Sequence, residues 1–182
     1  MSQPSAEELQ RLREGHIIEQ LILIKKFAQI QTSAVIGPLL NVVTQGKQEA
    51  IEEVAEALSV LQNVAKSTLR IEITHDNCFI RWAIALAIEK IGDPSYNDVL
   101  IPALGLGYEP VIEIITRTLT KMAPSRFLSP HLESILYNLS YSEKNQVAHY
   151  ACRLLGSAAL DVIETLYRSE EHTSELQSPN TI

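Results

Sequence analysis

Glycine and aromatic side chains are scarce in this chain, with seven Gly and 5% Phe, Trp and Tyr among 182 residues. A β-sandwich needs Gly, Asn or Asp turns every ten residues or so, and this composition does not supply them. Cysteine is rarer still: Cys78 and Cys152 stand far apart, which favours a reduced, cytoplasmic protein over a disulfide framework. Apolar runs such as Leu21 to Ile24 fall far short of the ~20 residues of a membrane span. Glu7, Glu8, Arg11, Arg13 and Glu14 interrupt any signal-peptide core near the first residues. Basic residues are outnumbered, 15 Lys and Arg against 22 Asp and Glu, for a net charge of −7. That balance disfavours a phosphate-tracking surface, so no nucleic-acid partner is expected, although a local basic patch is compatible with a negative total.

Aliphatic residues, by contrast, are abundant and ordered. Ile30, Leu61, Ile91, Met122 and Leu155 recur in steps of 31, 30, 31 and 33 residues. Three residues before each of these anchors stand Phe27, Leu58, Ile88, Leu119 and Cys152, and seven before stand Leu23, Val54, Ile84, Ile115 and Ala148. The spacing i, i+4, i+7 is one face of a helix. Four before the anchors lie Lys26, Ala57, Ala87, Thr118 and Ala151, mostly small, as close packing of neighbouring helices requires. A unit with one such stripe cannot bury it alone and must stack on its neighbours, so the period predicts an all-α solenoid with a long exposed surface.

Punctuation divides the ladder into elements. The capping-box pair Ser5 and Glu8 predicts one long helix from there to about Ile30. Thr32 and Ser33 break it, and Val35, Ile36, Leu39 and Leu40 predict a shorter helix with Pro38 near its start. A turn at Gln45, Gly46 and Lys47 leads into a helix over 50–61. Residues 68–74 place Leu69, Ile71 and Ile73 on one parity, which allows a strand by period alone; an array of helices offers it no partner, and a helix or irregular link is expected. Asn77 is placed to cap the helix that carries Arg81, Trp82 and the stripe to Ile91. Gly92, Asp93 and Pro94 end it. Glu109 and Pro110 open the next, which Ala123 and Pro124 close. Further helices are predicted over 125–139 and 145–156, with one more starting at Ala158.

The stretch Asn77, Ile80, Arg81, Ala83, Ala87, followed by Lys90-Ile91-Gly92-Asp93-Pro94 and Val99-Leu100-Ile101-Pro102-Ala103-Leu104, resembles the HEAT-like repeats of phycobilin lyases. The resemblance covers about residues 21–167 as a pattern and is close only over 77–104. It implies about five helix pairs in a right-handed superhelix. The fourth unit departs from it, with Met122-Ala123-Pro124 in place of Ile-Gly-Asp-Pro and Ile112 at the arginine position.

From Arg168 the stripe stops. The eleven residues Arg168 to Ser178 resemble the in-frame translation of a common short-read sequencing adapter, and Pro179 to Ile182 match its barcode region and continuation. This resemblance implies a repeat array over 1–167 that is cut short at its C-terminus and a non-native tail over 168–182; the alternative is an ordinary polar tail. Without the tail's one arginine and three glutamates, the charge of −7 becomes −5.

No motif establishes an activity. His75, Asp76 and Cys78 are neighbours, but no second pair at ligand spacing accompanies them, so neither a metal nor a Cys-His nucleophile is expected. Gly105-Leu106-Gly107 lacks a third glycine and a preceding strand. Glu52, Glu53 and Glu56 read as a solvated helical face. No cofactor is implied. The positions two and nine residues before the anchors form a ridge off the stripe: Ala28, Ser59, Glu89, Thr120 and Arg153, with Leu21, Glu52, Trp82, Glu113 and Gln146. The candidate partner-binding residues are Trp82, Glu89, Glu113, Arg117, His149 and Arg153. Trp82, with Arg81 beside it, reads as an interface anchor or as a cap on a neighbouring repeat's core. The expected function is a non-enzymatic scaffold that holds a protein partner. A phycobilin lyase-like enzyme or chaperone is the alternative the resemblance implies; a HEAT-like DNA glycosylase would need a basic groove.

Overall fold

The Ser5 hydroxyl accepts from the Glu8 N–H at 3.2 Å, and the Glu8 carboxylate accepts from the Ser5 N–H at 2.9 Å, so the capping box forms as expected. The computed structural model describes residues 3–106 and 108–122. Among them the chain is all-helical, with eight α-helices and no strand: α1 (Ala6–Glu14), α2 (Ile17–Ala28), α3 (Ile36–Val43), α4 (Gln48–Val60), α5 (Gln62–Glu72), α6 (Cys78–Ile91), α7 (Asn97–Ala103) and α8 (Glu109–Met122). Short 3₁₀ turns at Ser33–Val35, Pro94–Tyr96 and Leu104–Leu106 lead into or out of α3 and α7.

The expected single helix from Ser5 to Ile30 is instead two. Gly15 and His16 adopt extended backbone between α1 and α2. The break is held from inside: Gln20 is buried and its amide donates to the Leu12 carbonyl at 3.0 Å and the Arg13 carbonyl at 3.4 Å, two acceptors that the end of α1 leaves without helical partners. The fold lets α1 turn back to pack on both α2 and α3.

Elsewhere the punctuation acts as read. Gly46 and Gly92 take positive φ of +72° and +65°, the second as the left-handed cap of α6. Asn77 Oδ1 accepts from the N–H of Phe79 at 2.8 Å and of Ile80 at 3.4 Å. Residues 68–72 are helical; Leu69 and Ile73, four apart, are buried, whereas Ile71 is 68% exposed. Burial at period 3.6 settles what alternation left open.

The ladder helices pack in chain order, α2 on α4, α4 on α6, α6 on α8, while α3 and α5 lie against α4 and α6, and α7 against α8. Leu23, Val54, Ile84 and Ile115 are all buried, as are Phe27, Leu58, Ile88 and Leu119. Ala55 and Ala57 of α4 and Ala83, Ala85 and Ala87 of α6 are buried as well, and small side chains of this kind let two axes approach closely. The anchors themselves behave differently. Leu61 is buried, but Ile30, Ile91 and Met122 are half-buried and pack on the core from its edge.

Candidate functional site

Helix α6 organises the surface around Trp82. The step of about 100° between adjacent helical residues places Arg81 and Trp82 on different sides. Arg81 does not flank Trp82 on the surface as the sequence suggested; it is 7% exposed and donates to the carbonyls of His75 at 2.6 Å, Asp76 at 3.0 Å and Leu106 at 3.2 Å. A buried guanidinium that serves three carbonyls ties the start of α6 to the turn before α8. That turn carries Tyr108, whose carbonyl accepts from Val111 and Ile112 as α8 begins. The Tyr108 ring meets Trp82 edge-on at 6.3 Å and Phe79 at 6.2 Å, a favourable geometry for aromatic pairs. Trp82 is therefore half-buried, packed on the core by one side and open on the other.

The open side faces a groove of about 390 Å³ between α4 and α6, lined by Glu52, Trp82, Leu86, Glu89 and Lys90. Two of its charges are already bound. The Glu89 carboxylate receives Arg117 Nε at 2.6 Å and Nη2 at 2.7 Å, a bidentate pair from α8, and Lys121 Nζ at 3.0 Å. These bonds, from Arg117 first, hold the Glu89 carboxyl down to about 2 against the opposing effect of partial burial. Lys90 reaches back to Glu56 of α4 at 2.7 Å, and Lys25 of α2 lies 3.6 Å from Glu53. Ion pairs thus span each successive pair of ladder helices. Glu52, by contrast, is exposed and, among the described residues, accepts only from the neutral Gln48 amide at 2.9 Å.

The structure brings Trp82 and Glu89 to one groove and joins Glu89 to Arg117. Glu113 is exposed on α8 and is not part of the groove's lining. His149 and Arg153 lie outside the described residues, as do the tail and the helices expected after residue 122. Leu86 and Lys90 were not among the sequence candidates. A signal for Leu86 existed: five residues before the first four anchors stand Lys25, Glu56, Leu86 and Arg117, so it is the one apolar side chain among these four.

Other clusters offer less. His75 Nδ1 accepts from the Asn77 N–H at 2.8 Å, and its other nitrogen lies 3.9 Å from Glu72. Among the described residues no group of His, Cys, Asp and Glu is placed to hold a metal, and no helix is long and apolar enough to cross a membrane. A wider hollow of about 650 Å³ at the α1–α2 joint is lined by residues that include Glu14, His16, Lys47 and Glu49; charges of both signs meet there without an aromatic side chain. No family model matches the chain, and no curated protein matches it in sequence.

Proposed function

We propose that this chain is a non-enzymatic protein-interaction scaffold, an α-solenoid of HEAT-like helix pairs, about five over residues 1–167, in a right-handed superhelix. The succession of ladder helices supports this reading, since positions roughly one period apart become neighbours and line a common face. The single observation that carries the function is Trp82, held half-exposed by Tyr108 and the core at the edge of the α4–α6 groove. A large rigid aromatic supplies contact area at small entropic cost and is the commonest kind of binding anchor. In the same reading the adapter-like run 168–182 is not part of the scaffold.

The test places a photo-crosslinking side chain at Leu86 and, as a control, at exposed Thr74 beyond the end of α5, in an extract of the source cells. A specific protein adduct at Leu86 that is absent from Thr74, is reproduced with the purified partner and is lost on Trp82→Ala but retained on Trp82→Phe is the expected result. Equal adducts at both positions, or adducts indifferent to Trp82, would remove the docking function.

A further inference from the structure

We infer that the groove beside Trp82 receives a cationic side chain, so that the partner is a basic peptide segment that presents arginine or lysine. The inference rests on the docking role proposed above and specifies its chemistry. Of the carboxylates in and beside the groove, Glu89 is paired with Arg117 and Lys121, and Glu56 with Lys90. Glu52 has, among the described residues, only a neutral amide donor on it. The Lys90 ammonium is drawn toward Glu56 at 2.7 Å, so the lining's one basic group is engaged elsewhere. What remains at the groove is a carboxylate on α4 without a cationic partner among the described residues, an indole on α6 and the aliphatic Leu86.

Those three groups match the parts of a long basic side chain. The methylene stem covers Leu86 and the indole, the cationic head lies against the π-face of Trp82, and Glu52 accepts its hydrogen bonds. An anionic side chain would meet Glu52 unscreened, and a purely apolar one would desolvate that carboxylate without a donor. Size agrees. A groove of about 390 Å³ stands near the lower limit of the ~300–1,000 Å³ of pockets that enclose drug-sized ligands, which suits one side chain and its flanking backbone better than a bulky cofactor. The acidic balance of the chain, −7 in full and −5 without the run 168–182, adds long-range attraction for a basic partner.

Trp82 is the chain's one tryptophan, so its own fluorescence reports occupancy. The full chain is titrated with a peptide of three arginines spaced by alanines, with its citrulline counterpart of equal shape and no charge, and with its glutamate counterpart. The expected result is a saturable change in Trp82 emission with the arginine peptide alone, weakened by added salt, with half-saturation raised about two- to fivefold by Glu52→Gln, as befits an exposed ion pair. Glu52 is exposed, and the amide leaves α4 intact. An arginine peptide that fails to saturate, or a curve unmoved by Glu52→Gln, overturns the cationic specificity. If the citrulline or glutamate peptide saturates equally well, or if only a crosslinked partner engages Leu86, the docking role stands and the charge assignment falls.

Discussion

Trp82 and Ile88 lie on the same helix with different exposures, and the difference sets what each substitution does. Ile88 is fully buried, so Ile88→Asp places an unpaired carboxylate in the core at a cost of several kcal/mol, much of a typical stability of about 5–15 kcal/mol; loss of the cooperative urea transition is expected. Ile91→Asp should be milder, since Ile91 stands half-exposed at the helix end despite its place in the ladder. Trp82→Ala should lower stability by roughly half of the about 3–5 kcal/mol that a fully buried aromatic forfeits, while it removes the anchor. A loss as large as that of Ile88→Asp would assign Trp82 to the core alone. Arg81 presents the reverse case, a charged residue that the fold buries. Arg81→Ala leaves the carbonyls of His75, Asp76 and Leu106 without their donor and should destabilise by about 1.5–3 kcal/mol, with early exchange of the Val111 and Ile112 amides; an unchanged urea midpoint would count against this clamp.

Element ends depend on two glycines in unlike surroundings. At Gly92 a Cβ would meet nothing within 4 Å, so Gly92→Ala is expected to cost only the left-handed backbone penalty of about 1–2 kcal/mol. At Gly46 the same backbone penalty applies, and a Cβ would come within 2.5 Å of the Phe79 ring. Gly46→Ala should therefore cost more, and Phe79→Leu should recover part of the excess; thermal melts of the two single variants and the double variant decide it. The Phe79 ring in turn touches Tyr108, so displacement should also shift Trp82 emission. Helix identity was readable from periodicity because the burial of a stripe repeats every turn. The α1–α2 break was not, since Gln20 stabilises it through carbonyls seven and eight residues back, and the apolar period continues on both sides.

For the whole molecule, the pairing of ladder helices should appear in the response to acid. Glu89, held near 2 in the folded protein against an ordinary 4.5, releases its proton more readily folded than unfolded. Its stabilising contribution is complete above pH 4.5, declines as the unfolded chain takes up protons first, and is gone below about pH 2. Glu89→Gln should lower stability at neutral pH by about 1 kcal/mol, as befits a partly exposed pair, and urea titrations should bring variant and wild type together as pH falls from 4.5 toward 2. A constant gap over that interval would remove the pair from the energetics. The sequence by itself determined that the described chain is helical, where α6 and α8 begin and end, and which face of each ladder helix is buried, because these follow from contacts within a turn or two and from the cost of exposing an apolar stripe. Only the tertiary structure decided that Arg81 turns inward, that Leu86 joins Trp82 in a groove and that Glu89 and Glu56 are ion-paired while Glu52 has no cationic partner among the described residues. Arg81 depends on carbonyls that two turns bring to it, and the ion pairs on which side chain stands opposite across a neighbouring helix some thirty residues away; the period tells only that a neighbour exists.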